Sequence, residues 1–174
     1  MTDARDVARG PVIVSALFGP ADFAWLNGLR QRHFPPERNQ LDAHLTLFHH
    51  LPPDLLRELK QRLNAATRGQ PRPDARIAGL MNLGGGVAFR VESPGLATIR
   101  DELAEAFAPL LVPQDRAGWR PHVTIQNKVP ARAARALLDE LAAGFTPRPL
   151  VISGLAAWEY RGGPWAPLSR HMFA

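Results

Sequence analysis

Apolar and polar positions along this chain switch between a period of two and a period near 3.6, and the switches lay out its elements. Val12 to Phe18, apolar but for Ser15, predicts a buried strand closed by Gly19-Pro20. Ala21 to His33 places Phe23, Trp25, Leu26 and Leu29 at helical spacing before Pro35-Pro36 ends the run. A polar connection, Glu37 to Asp42, leads into a strand from His44 to about Leu51. Pro52-Pro53 then starts a helix whose stripe is Leu55, Leu56, Leu59 and Leu63. Two strands follow, Ala75 to Leu83 and Val87 to Val91, joined as a hairpin at Gly84-Gly85-Gly86.

The second part begins with Ser93-Pro94, an N-cap followed by a first-turn proline, and a helix lined by Leu96, Ile99, Leu103 and Phe107. Leu110 to Pro121 is an irregular connection into a strand starting at His122. Pro130 opens a helix with Ala134, Leu137, Leu138 and Leu141 inward and Gly144 as its C-cap. Strands Leu150 to Tyr160 and Trp165 to Phe173 finish the chain. Two parts therefore share one order: helix, strand, proline-initiated helix, two strands. The expected organisation is a single domain, 1–174, with a first half at about 10–92 and a second at about 93–174. Two similar α+β lobes facing each other would place the polar faces of their strands across one cleft.

The paired strands carry one motif twice. His44-Leu45-Thr46-Leu47 recurs as His122-Val123-Thr124-Ile125, 122 − 44 = 78 residues later. Alternation puts His and Thr on one face of each strand and the aliphatic pair on the other. Two imidazoles in one cleft can cleave a phosphodiester: one, neutral, takes a proton from the nucleophile, and the other, protonated, gives one to the leaving oxygen. An ordinary pKa near 6.5 lets both forms coexist at neutrality. Thr46 and Thr124 are spaced to hydrogen-bond the non-bridging phosphoryl oxygens.

Bulk properties narrow the class without deciding it. A 45 % apolar and 21 % charged composition suits a globular domain, with no apolar run of membrane-spanning length and no export signal in Met1 to Gly10. A cytoplasmic monomer is the expectation. The net charge is +5, with 19 Arg against 2 Lys, which permits an anionic partner such as RNA. The chain contains no Cys, no His-x-His and no His-Glu-x-x-His, and threonine is a poor zinc ligand, so no metal site is expected.

On these residues the chain resembles the 2H phosphoesterase superfamily, in particular its 2′-5′ RNA ligase-like and cyclic phosphodiesterase branch. The resemblance rests on His44-Leu45-Thr46-Leu47, on Arg120-Pro121-His122-Val123-Thr124-Ile125, and on the element order across nearly the whole chain. It implies an α+β fold of two pseudo-symmetric lobes, each a small antiparallel sheet with helices on its outer face, around a central cleft. It also implies metal-free and cofactor-free action on RNA ends or nucleotide cyclic phosphates or on 2′-5′ linkages, with His44, Thr46, His122 and Thr124 catalytic. Arg120, Lys128 and Gln126 are candidates for holding phosphate if the second strand stays regular, and Trp119, Tyr160 and Trp165 for stacking a base. His49 and His50 lie outside the family's motif, and His50 shares the His44 face only if the first strand stays regular. His33 and His171 are expected to be structural, and Trp25 and Trp158 to cap a core. The alternative is an RNA- or nucleotide-binding module with little turnover.

Overall fold

The computed structural model describes residues 8–174; the first seven, part of the charged stretch in which no export signal is expected, lie outside the described residues. The strands are β1 (Val12–Phe18), β2 (Leu45–Leu51), β3 (Arg76–Asn82), β4 (Val87–Glu92), β5 (His122–Gln126), β6 (Arg148–Pro149), β7 (Ile152–Tyr160) and β8 (Trp165–Met172). The helices are α1 (Pro20–His33), α2 (Leu56–Thr67), α3 (Pro94–Ala106), α4 (Pro113–Arg116) and α5 (Ala131–Gly144).

Local chemistry explains the boundaries. Ser93 caps α3: its Oγ accepts from the Leu96 amide at 3.3 Å and donates to the Asp74 carbonyl at 2.7 Å. The expected glycine cap of α5 is replaced by an extended exit at Phe145, so Gly144 is the last helical residue and needs no left-handed turn. The four-residue α4 and the two-residue β6 sit where the pattern predicts only a connection and a strand approach. Both are too short to show a periodicity. No described helix is long and apolar enough to cross a membrane.

Two four-stranded sheets form, in the orders β2-β1-β7-β8 and β5-β4-β3-β6, with every pairing antiparallel. The lobes are not the two sequence halves. β7 and β8 join β1 and β2, while β3 pairs with β4, so each half gives strands to the other's sheet. A break at residue 92 therefore marks the repeat of the motif, not the division between lobes. The helices cross as well. α1 lies on the sheet of β5, with Trp25 against Phe89 of β4 at 5.2 Å between ring centroids. α3 reaches β2, with the Arg100 guanidinium 4.4 Å from the Phe48 ring.

The aliphatic faces of both motif strands are in the core: Leu45, Leu47, Val123 and Ile125 are fully buried. Each such side chain contributes about 1.5–3 kcal/mol relative to exposure. That burial pins β2 and β5, which are the edge strands of their sheets and approach each other at the centre of the molecule.

Candidate active site

The cleft at the junction of β2 and β5 is a cavity of about 370 Å³ lined by His44, Thr46, His122 and Thr124. His49, Arg100, Asp115, Trp119, Arg120 and Trp165 complete most of its wall. The two motif threonines and histidines are half-buried. Both imidazoles are held in the same way. His44 Nδ1 lies 2.8 Å from the Asp42 carbonyl oxygen, and His122 Nδ1 lies 2.8 Å from that of Arg120, each two residues back in the chain. A carbonyl can only accept, so each Nδ1 carries its hydrogen and Nε2 is left to exchange protons.

The strands behind the rings are braced by buried arginines. Arg30 of α1 donates from Nη1 to the Thr124 carbonyl at 3.0 Å and from Nε to Asn39 Oδ1 at 2.9 Å. Burial outweighs its attraction to Asp42 and lowers its pKa to about 10. Arg100 of α3 donates to the Leu47 carbonyl at 3.3 Å and to the Asp115 carbonyl at 2.6 Å. Trp119 Nε1 donates to the Thr46 carbonyl at 3.0 Å. Each motif strand thus has a backbone carbonyl fixed from the helix of the other half, which holds the Thr side chains toward the cavity.

The surroundings of the two histidines differ. The Trp165 ring stands 4.6 Å from that of His44. Burial pushes the His44 pKa down to about 4, with the Asp42 carbonyl opposing and the charges of Arg30, His122 and His49 adding. His44 is neutral at pH 7.

Other expectations resolve strand by strand. β2 slips against β1 twice: one residue is extra between Thr46, paired with Ser15, and Phe48, paired with Val14, and another between Phe48 and Leu51, paired with Val12. The first slip reverses the alternation before His49, which lines the cavity while His50 does not. His49 is tied to Asp115 of α4, and His50 is not in the wall of this cavity. β5 has a similar bulge, with Ala88 paired to Thr124 and Val87 to Gln126. Gln126 is consequently buried beside Ile125 and does not reach the cleft. Lys128 sits in a turn with φ of 63°, exposed and away from the cavity. Arg120 and Trp119 line the cavity; Tyr160, at the end of β7, does not.

His171 has both ring nitrogens engaged, by Asn64 Oδ1 at 2.6 Å and Ser169 Oγ at 2.8 Å, as a structural residue would. Trp25 packs on the core, whereas Trp158 donates to Ser15 Oγ at 2.8 Å and lines a second cavity of about 510 Å³. That cavity also includes Phe23, Trp165 and His44, so the two cavities share this histidine and Trp165. Arg30, Arg100 and Asp115 were missed by the sequence reading. For the arginines a signal existed: Arg30 is four residues after Leu26 and Arg100 four after Leu96, so each is a cation on an inward helical stripe. For Asp115 there was none. Among the described residues no group of three or more His, Asp or Glu side chains could hold a metal ion.

A model of the 2′-5′ RNA ligase superfamily matches residues 18–164, a span that contains both His-x-Thr strands. The chain belongs to this superfamily. Solved structures share the fold at low identity. The Thermus thermophilus protein TT0787 superposes with a TM-score of 0.66 at 16 % identity, covering 94 % of this chain and 97 % of that one. Escherichia coli LigT complexed with 3′-AMP gives 0.59 at 16 % identity, over 95 % and 98 % of the two chains. The same protein complexed with ATP gives 0.57 at 18 % identity, over 95 % and 98 %. No curated protein matches the sequence. Superfamily membership assigns the chain to the phosphodiester-processing enzymes, and its two-lobed α+β architecture is that of the superfamily's solved members.

Proposed function

We propose that the chain is a phosphodiester hydrolase or transferase acting on a 2′,3′-cyclic phosphate or a 2′-5′ linkage of RNA or a nucleotide, by two-histidine acid–base catalysis. The observation that carries this reading is the single cavity lined by His44, Thr46, His122 and Thr124. Neutral His44 accepts through Nε2 the proton of the attacking water as its oxygen bonds to phosphorus. Protonated His122 delivers its Nε2 proton to the ribose oxygen as that oxygen leaves. One proton is taken and one is given; a ribose hydroxyl attacking the cyclic phosphate in place of water uses the groups in the same roles, and cleavage of the resulting linkage back to the cyclic phosphate exchanges them. Thr46 and Thr124 donate to the non-bridging oxygens, where negative charge builds. Trp165 separates the phosphate cavity from the aromatic cavity of Phe23 and Trp158, which suits a nucleobase. The nucleotide complexes of LigT are compatible with that placement.

The test is hydrolysis of a nucleoside 2′,3′-cyclic phosphate in the presence of EDTA, with the product's regiochemistry read by phosphorus NMR. Turnover to one regioisomer, lost in His44→Ala and His122→Ala proteins, supports the reading. Nucleotide binding without turnover would leave a binding module, and turnover abolished by EDTA would require a metal.

A further inference from the structure

The acid–base chemistry leaves one set of polar side chains on the cavity wall without a role: His49, Arg100 and Asp115. Asp115 is 1 % exposed, yet its carboxylate is fully engaged. It accepts from the His49 amide at 2.9 and 3.0 Å, from the His50 amide at 3.0 Å and from His49 Nδ1 at 3.0 Å. Burial works against the carboxylate, but these hydrogen bonds outweigh it and its pKa is lowered. Its charge is therefore spent on holding the imidazole, and His49, whose side chain is 40 % exposed, turns Nε2 to the cavity.

Arg100 belongs to the same arrangement. Its Nε and Nη2 are used by the Leu47 and Asp115 carbonyls, and its plane is clamped between Phe48 and Trp119, at 4.4 and 6.0 Å. Nη1 has no protein acceptor among the described residues and is not sealed from solvent. Asp115 thus fixes both groups, the His49 imidazole through its side chain and the Arg100 guanidinium through its backbone; Arg100 keeps Nη1 as a donor, and His49 keeps Nε2, which donates to an anion once it binds a proton. A held guanidinium and a held imidazole beside a phosphate site that already has His44, Thr46, His122 and Thr124 exceed what one phosphate needs.

We propose that His49 and Arg100 form a second anion subsite, positioned by Asp115, that holds a phosphate not being cleaved: the one on the 5′ side of the same nucleoside. In an RNA end bearing a 2′,3′-cyclic phosphate that is the next negative charge along the chain. The proposal rests on the phosphoesterase reading for its substrate class, but its test is independent of turnover.

Two ligand pairs are compared in the wild-type protein and in His49→Gln and His49→Ala variants. The first pair is adenosine 2′,3′-cyclic phosphate with and without a 5′-phosphate, read as kcat/KM. The second is adenosine 2′,5′-bisphosphate against adenosine 2′-phosphate, read as Kd by calorimetry. The expected result is a wild-type preference of about tenfold for the 5′-phosphorylated member of each pair, the weight of one charge-assisted hydrogen bond. That preference should shrink to about twofold or less in both variants, and in Asp115→Asn, where the imidazole loses its carboxylate partner. A wild-type protein indifferent to the 5′-phosphate, or variants that lose affinity equally for both members, would overturn the subsite. Should the cyclic phosphates not be hydrolysed at all, the catalytic reading fails while the Kd pair still decides the subsite.

Discussion

The two His-x-Thr strands are alike in backbone and unlike in surroundings. Each is the edge strand of its sheet, buries its aliphatic pair, carries a bulge, and has its histidine Nδ1 bonded to the carbonyl two residues back at 2.8 Å. Each is also braced by an arginine of the other half's helix, Arg100 on Leu47 and Arg30 on Thr124. Around the first strand, however, Trp165 covers His44, Trp119 binds the Thr46 carbonyl, and His49 with Asp115 adds a further titratable pair. Duplication supplies two equivalently held imidazoles, and the different surroundings of the two strands bury the His44 ring and lower its pKa. On the proposed reading, the neutral ring is the one suited to act as base.

The largest effect should come from deleting either member of the pair. His44→Ala or His122→Ala is expected to lower kcat/KM by ~10²–10⁴, the usual contribution of one acid–base group. A variant near wild-type turnover would break the two-histidine reading outright. Next come the hydroxyls: Thr46→Ala and Thr124→Ala should each cost roughly tenfold to a hundredfold in kcat, less than either histidine because two donors share the developing charge. Equal losses at the two threonines would support equivalent phosphate contacts, and a strong inequality would show the asymmetry of the surroundings reaching the phosphate.

The braces are compared by stability. Arg100→Met leaves two backbone carbonyls without a donor and Arg30→Met leaves one, together with Asn39 Oδ1. Each change should destabilise by ~1–3 kcal/mol, measured as a lower denaturant midpoint at unchanged slope.

The smallest effect concerns pH. Burial lowers the His44 pKa from 6.5 to about 4, so the unfolded chain binds that proton first. Stability from this group therefore rises with pH between about 4 and 6.5, and is lost as pH falls through that window. In the rate profile the acid limb, set by His44 deprotonation, should lie well below 6.5. Trp165→Ala, which readmits water to the ring, should move that limb upward by about one unit or less. An unmoved limb would mean that Trp165 is not what desolvates His44.

The hydrophobic pattern by itself determined most of the elements and the strand face that each of the four central side chains takes. Period, proline and glycine are local signals, and they located β1, β4, β7, the cap at Ser93 and the burial of Leu45, Leu47, Val123 and Ile125. Tertiary structure decided everything that depends on pairing. A bulge is invisible in one strand because it exists only against a partner, and two of them sent His49 into the cleft and Gln126 out of it. The exchange of strands between the halves is likewise a property of sheet order, since nothing in β3 or β7 names its neighbour. The same holds for Asp115, whose carboxylate meets His49 from 66 residues away through a four-residue helix with no sequence signal of its own. Local physics shapes the strands and aims their faces; long-range packing sets solvation, and solvation lowers the His44 pKa.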